Sequence, residues 1–219
     1  HVSAVVKHPS TYEHINPEQV GNERRITISE LSGVSNLLVK AKEFGVELKK
    51  DSAETKNLIK TLKELESQGY SFEEGEASFE ILVKKALGKF PPFFELVEYK
   101  VETGKQSNLP SVVSAHIHIK VAGKNYEAKA TGNGPVNALD NALRRVLENI
   151  YPQLKTMRLT DYKVRVLATE AGTAARVRVT VESADEKRVW LTVGVSENVI
   201  EASWQALVDA IEYKLMKES

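Results

Sequence analysis

Three short stretches of this sequence carry residue types able to do chemistry. The first is the opening, where His1, His8, Tyr12 and His14 lie close together. Histidine moves protons near neutral pH and tyrosine can donate one. No apolar run beside them supplies a pocket, so plain loop residues are the simpler reading. The second is "AHIHIK", in which His116 and His118 share one strand face, as two metal ligands on a strand would. Ala115, Ile117 and Ile119 mark the other face as the buried one, and no carboxylate or third His lies nearby in sequence. Solvent-facing strand residues are expected there, and no metal site. The third is "ATGNGPVNAL", residues 130–139. Gly132 and Gly134 permit positive φ and close backbone approach. Pro135 suits a first helical turn, where its missing N–H costs nothing. Free N–H groups at a helix start attract a carboxylate or phosphate. A tight strand-to-helix turn would also explain this stretch.

The elements that must position these residues change character near residue 89. Before it the apolar spacing is helical. "SNLLVKAKEFGVEL" puts Leu37, Leu38, Ala41 and Phe44 on one face, with Gly45 as a stop. "DSAETKNLIKTLKELESQG" starts at Asp51 or Ser52 and ends at Gly69. "ASFEILVKKALGK" uses Phe79, Leu82, Val83 and Leu87. Three such helices have little core of their own and should lean on something else.

After residue 89 the period falls to two. Strands are predicted over 93–103, 111–123 and 124–131, the last two joined by an "AGKN" hairpin. A helix over 134–150 follows, with Ala138, Ala142, Val146 and Ile150 as its stripe and Leu139, Leu143 and Leu147 beside it. The order then repeats: strands over 160–169, 173–183 and 187–195, and a helix over 198–217. "ELVEYKV" answers to "RLTDYKV", Tyr126 to Trp190, and Ala138, Ala142 and Leu143 to Ala202, Ala206 and Leu207. This is an α+β chain: a helical linker region over 1–88, then a domain over 89–219 made of two duplicated βββα units, about 91–152 and 157–217. Each sheet buries one face under its own helix, and the two units should pack together. Ser196, Glu197 and Asn198 stand in the second unit where Gly132, Asn133 and Gly134 stand in the first. The glycines are therefore not demanded by the repeat, which favours a ligand at the first copy.

Composition excludes several classes. Lys+Arg and Asp+Glu are equal at 30 each, against a nucleic-acid or acidic-membrane partner. The sheets show no cluster of exposed aromatics amid basic residues, and "ERR" at 23–25 reads as solvated surface. There is no cysteine, hence no disulfide or thiol chemistry, which fits a cytoplasmic protein. No apolar run approaches the roughly 20 residues that span a bilayer. "HVSAVV" is too short for a signal peptide, and the missing start Met suggests a piece of something longer. No nucleophile motif, P-loop or zinc spacing is present.

"HVSAVVKHPSTYEHINPEQVGNERRITISELSGVSNL" strongly resembles the segment after the catalytic barrel in citramalate synthases, of the α-isopropylmalate synthase and homocitrate synthase family. "GYSFEEGEASFEILVKK" resembles the later part of their linker. "ATGNGPVNAL" with the duplicated units looks like their C-terminal dimerisation and allosteric domain, so the resemblance covers essentially the whole chain. "TYEHINPEQVGNERR" and "SELSGVSNL" point to the citramalate branch.

The resemblance implies an acyltransferase parent that condenses acetyl-CoA with pyruvate to (R)-citramalate on the way to isoleucine. Its chemistry would sit in a (β/α)8 barrel with a divalent metal, absent from this chain, which would be inactive alone and need no cofactor of its own. It further implies that His1 and Tyr12 act over the partner subunit's active site. His14 receives no such role. A branched-chain amino acid, isoleucine before leucine, would bind at an interface between repeats and subunits of a homodimer. Gly132, Asn133, Gly134, Pro135, Val136 and Asn137 would contact it, with Asp161 and Tyr162 as weaker candidates. Helix-start N–H groups would hold the α-carboxylate, a carboxylate such as Asp161 the ammonium, and apolar strand residues the side chain. Two rivals remain: the same region of an isopropylmalate or homocitrate synthase, and a free-standing amino-acid sensor or interaction module.

Overall fold

A computed structural model describes residues 34–167 and 175–219. The chain divides into two compact units, His1–Gln68 and Gly69–Ser219. The change of periodicity near residue 89 therefore does not coincide with the change of compact unit.

The described part of the first unit is two helices, α1 (Val34–Glu43) and α2 (Ala53–Ser67). Leu37 and Ala41 are buried on α1, and Leu58 and Leu62 on α2. Gly45, at φ +73°, lets the Val46 N–H turn back to the Ala41 carbonyl at 2.8 Å and close α1. Ser52 is the N-cap of α2, its side chain accepting from the Thr55 N–H at 3.2 Å.

The second unit begins with α3 (Glu76–Ala86), grouped with the linker by its helical pattern alone. It packs on the last helix and last strand of the chain. Ala77, Ser78, Phe79, Glu80, Ile81 and Val83 are all buried, a wider face than the expected stripe, because the helix lies against both. The duplicated units follow. Strands β1 (Glu95–Gly104), β2 (Val112–Val121) and β3 (Lys124–Gly132) form one antiparallel sheet in that order, followed by α4 (Pro135–Ile150). After a 3-10 turn over Pro152–Thr156 come β4 (Arg158–Val166), β5 (Val177–Ala184), β6 (Val189–Ser196) and α5 (Val199–Glu218). The expected strand residues 168, 169, 173 and 174 lie outside the described residues.

The duplication extends to local irregularities. Both first strands carry a bulge at the same place, between Leu96 and Glu98 and between Leu159 and Asp161. Tyr126 pairs with Ile119 as Trp190 pairs with Ser183. Ala122 and Gly123, both at positive φ, make the tight β2–β3 hairpin that "AGKN" predicts.

Each helix lies over the second and third strands of its sheet, and α4 touches α5. One core therefore serves both βββα repeats, running from Ile117, Leu139 and Leu143 to Val179, Val181 and Leu215. Polar bonds fix α5 in place. Trp190 Nε1 donates to the Ala210 carbonyl at 3.2 Å and Thr192 Oγ1 to that of Ala206 at 2.8 Å. Lys214 Nζ lies 2.6 Å from the buried Asp185 carboxylate, which also accepts from the N–H groups of Lys187 and Arg188. Burial acts to raise Asp185, but these donors outweigh it and hold the carboxyl at about 2.

The helices lie chiefly over the second and third strands, so the inner face of each first strand is covered at Tyr99, Val101 and Tyr162 and open elsewhere. Leu96 on β1 and Leu159, Val164 and Val166 on β4 are exposed there.

Candidate functional site

The strand-to-helix turn is built differently from its sequence reading. Neither Gly132 nor Gly134 has positive φ. Gly132 ends β3 and is required by close approach: a Cβ there would run into the Ala138 amide and the Asn137 side chain. The first copy thus demands its glycine for packing, although the repeat as a whole does not. Gly134 is the N-cap of α4 in extended backbone, with nothing within 4 Å of where a Cβ would stand. No side chain caps this helix start, and Pro135 occupies its first position. The Asn133 N–H is taken by Asn137 Oδ1 at 3.1 Å. The amides of Val136 and Asn137 are left at an uncapped helix N-terminus, beneath a residue without a side chain.

Directly beside this helix start is a cleft of ≈ 510 Å3, lined by Val136, Asn137, Asp140, Arg144, Met157, Arg158, Leu159 and Tyr162. It lies between the helix of the first repeat and the first strand of the second. Asp140 and Arg144 form a pair at 3.0 Å, and Arg144 also donates to Glu148 at 3.2 Å and to the Met157 carbonyl at 3.1 Å. These bonds fix one wall of the cleft. On the other wall the Tyr162 hydroxyl lies 2.7 Å from Ser203 Oγ on α5. Ser203 spends its own proton on the Val199 carbonyl, so Tyr162 is the donor. The cleft therefore offers helix-start amides and Arg158 to an anion, Asp140 to a cation, and Val136, Met157, Leu159 and the Tyr162 ring to an aliphatic group.

Of the residues expected from sequence, Val136, Asn137 and Tyr162 meet at this cleft, with Gly134 and Pro135 at its helix start. Asp161 does not line it. Strand neighbours point to opposite faces, and its carboxylate holds Lys163 at 2.6 Å and the Tyr162 N–H at 2.8 Å. Lys163 and that N–H hold its carboxyl below the usual range. Asp140 stands at the cleft instead. His1 and Tyr12 lie outside the described residues. Sequence reasoning missed Asp140, Arg144, Met157, Arg158 and Leu159. One signal was available, since Asp140 is the counterpart of Trp204, a large mismatch between repeats.

The "HIH" strand is outward as expected. His116 Nε2 lies 3.2 Å from the Glu127 carboxylate on β3, and His118 Nε2 3.1 Å from Asn125 Oδ1. Among the described residues no group of three metal-binding side chains occurs. Nor is any described helix long and apolar enough to cross a membrane.

A duplicated βββα pair sharing one core, with a cleft where the repeats meet, is the α+β architecture of the chain's C-terminal part. The chain belongs to the family of the LeuA allosteric (dimerisation) domain, whose model matches residues 74–215. Residues 1–70 match the homocitrate synthase post-HMGL domain-like family. Among curated proteins the chain is similar to (R)-citramalate synthases. That of Aquifex aeolicus is 53% identical over 100% of this chain and 42% of the relative. That of Geobacter sulfurreducens is 51% identical over 99% and 41%, and that of Synechocystis 49% identical over 98% and 40%. The chain thus spans about two-fifths of the length of these relatives.

Proposed function

We propose that this chain is the linker and allosteric region of a citramalate synthase, and that its cleft binds L-isoleucine as feedback inhibitor. The observation that carries this reading is the open cleft at the uncapped start of α4. It combines donors for a carboxylate, an acid for an ammonium and an apolar wall. The amides of Val136 and Asn137 and the Arg158 guanidinium take the α-carboxylate. Asp140, rather than Asp161, takes the ammonium. Val136, Met157, Leu159 and Tyr162 hold the branched side chain. The whole protein condenses acetyl-CoA with pyruvate in a metal-binding barrel outside these residues, and this region alone has no such activity. His1 and Tyr12 serve that barrel.

The exposed apolar residues Leu96 on β1 and Leu159, Val164 and Val166 on β4 support assembly as a homodimer. Leu159 belongs to both the cleft and the bare strip, so a second copy seated on the strip would also complete the cleft.

Calorimetric titration with L-isoleucine, and with L-leucine and L-valine in parallel, tests the reading. Isoleucine is expected to bind at one per chain and more tightly than leucine. One methylene in such a pocket is worth roughly 1–3 kcal/mol. Tighter leucine binding would move the parent to the isopropylmalate branch. No binding by a folded dimer would overturn the effector assignment.

A further inference from the structure

Pseudo-symmetry puts a second cleft in the molecule, between the helix of the second repeat and the first strand of the first. Ile200, Glu201, Trp204 and Val208 stand on α5 where Val136, Asn137, Asp140 and Arg144 stand on α4. Phe94, Glu95, Leu96 and Tyr99 stand at β1 where Met157, Arg158, Leu159 and Tyr162 stand at β4. This copy is filled. The Trp204 indole is 5% exposed and packs on the Tyr99 ring, centroids 5.2 Å apart. The Tyr99 hydroxyl donates to Glu201 Oε2 at 2.6 Å. Burial and that carboxylate both push the phenol's pKa up. Tyr162, by contrast, faces Asp140 across open space and bonds to Ser203 instead.

The two copies also differ in charge. The second has exchanged Arg144 for Val208, Arg158 for Glu95 and Asn137 for Glu201, so it carries two carboxylates and no cation. Its helix start is also capped by a side chain, unlike that of α4: Asn198 Oδ1 accepts from the Ile200 N–H at 2.9 Å, at the position where α4 has Gly134. A carboxylate ligand would find no open amide at Ile200 and would face Glu201.

We infer that the start of α5 and strand β1 form a second binding cleft, occupied by the chain's own Trp204, whose chemistry suits an apolar primary amine and rejects an amino acid. Its hydrocarbon would take the place of the indole and its ammonium would meet Glu201 beside the Tyr99 hydroxyl. The chain therefore admits one amino acid, in the open cleft; that count rests on the function proposed above, whereas the amine site does not.

The test compares the unmodified chain with W204A, titrating each with 2-methylbutylamine (the isoleucine skeleton without its carboxylate) and with L-isoleucine, followed by amide NMR. The unmodified chain is expected to ignore the amine. W204A is expected to bind one amine per chain, with shifts at Tyr99, Ile200 and Glu201, and to keep its isoleucine stoichiometry. E201Q placed in W204A should weaken the amine at least tenfold. A folded W204A that ignores the amine, an E201Q that leaves amine binding unchanged, or an unmodified chain that binds two isoleucines would each overturn the inference. Should W204A lose its folded spectrum, W204L with the smaller isopropylamine makes the same comparison with the same outcomes. An unmodified chain that binds no isoleucine would sink the proposed function and leave the amine result to decide this one.

Discussion

The two repeats have the same strands, the same bulge and the same helix, yet their helix starts have opposite characters. At α4 a bare Gly134 leaves the amides uncapped, and Asp140 with Arg144 forms a polar wall to an open cleft. At α5 Asn198 caps the start and Trp204 fills the cleft against Tyr99. The free edges of the two sheets diverge likewise. On β3 the helix of the same repeat serves the edge: Arg145 donates to the Lys129 carbonyl and Asn141 to that of Thr131. On β6 the edge amides of Val193 and Val195 are met by Ser78 of α3 and by Gln205, which also accepts from Tyr70. One repeat keeps a cleft open, and the other is closed and holds the segment arriving from the linker. Duplication supplies two equivalent surfaces, and a few side chains decide which stays an open cleft and which becomes a joint.

The sharpest way to break this comparison is to truncate the same position in both repeats. W204A should cost about 3–5 kcal/mol in urea unfolding, as removal of a buried indole does. D140A, which removes one partner of a partly exposed pair, should cost about 1 kcal/mol. Equal costs would mean that the two clefts are not different in kind.

The joint should also respond to pH. Asp209 is the counterpart of Arg145 and faces Ser78. Burial pushes its carboxyl up to about 7, with Glu212 reinforcing this and Ser78 and Lys85 opposing it. A folded pKa above the unfolded one contributes stability that is complete below about pH 4 and is lost as pH rises through 7. The shift of roughly three units sets the loss by pH 8 at no more than about 4 kcal/mol. D209N should flatten that slope, read from denaturation midpoints between pH 5 and 8.

Y70F removes one hydrogen bond from the joint. A loss of about 1 kcal/mol is expected, with faster amide exchange confined to residues 69–80. Exchange that quickens uniformly through both repeats would contradict the separation drawn here. The smallest effect belongs to G134N, which gives α4 the residue that caps α5. Stability should change by a few tenths of a kcal/mol at most, since Gly and Asn both serve at an N-cap. Isoleucine affinity should nevertheless fall at least tenfold, because the added side chain takes the amides the carboxylate needs.

Much of this was legible in the sequence, because period and duplication are local signals. The strand pattern from Glu95 to Gly132, the "AGKN" turn and the stripe of α4 follow from residue order alone. The destination of α3 was not legible. Its apolar spacing announces a helix, but which surface buries it depends on Ser78 reaching Val193, a contact 115 residues away. The cleft was half legible. "GNGPVN" marks a helix start, whereas Asp140, Arg158 and Leu159 gain meaning only when the first strand of one repeat is laid against the helix of the other. Asp161 looked equivalent to Tyr162 until strand alternation turned its carboxylate to the far face.

The open start of α4, and not the capped start of α5, is where the proposed ligand should bind. Amide NMR of the chain titrated with L-isoleucine reads this residue by residue. Large shifts are expected at Val136, Asn137 and Tyr162, with Ile200, Glu201 and Tyr99 unmoved. Shifts centred on Ile200 and Glu201, or isoleucine binding that leaves Val136 and Asn137 undisturbed, would contradict it.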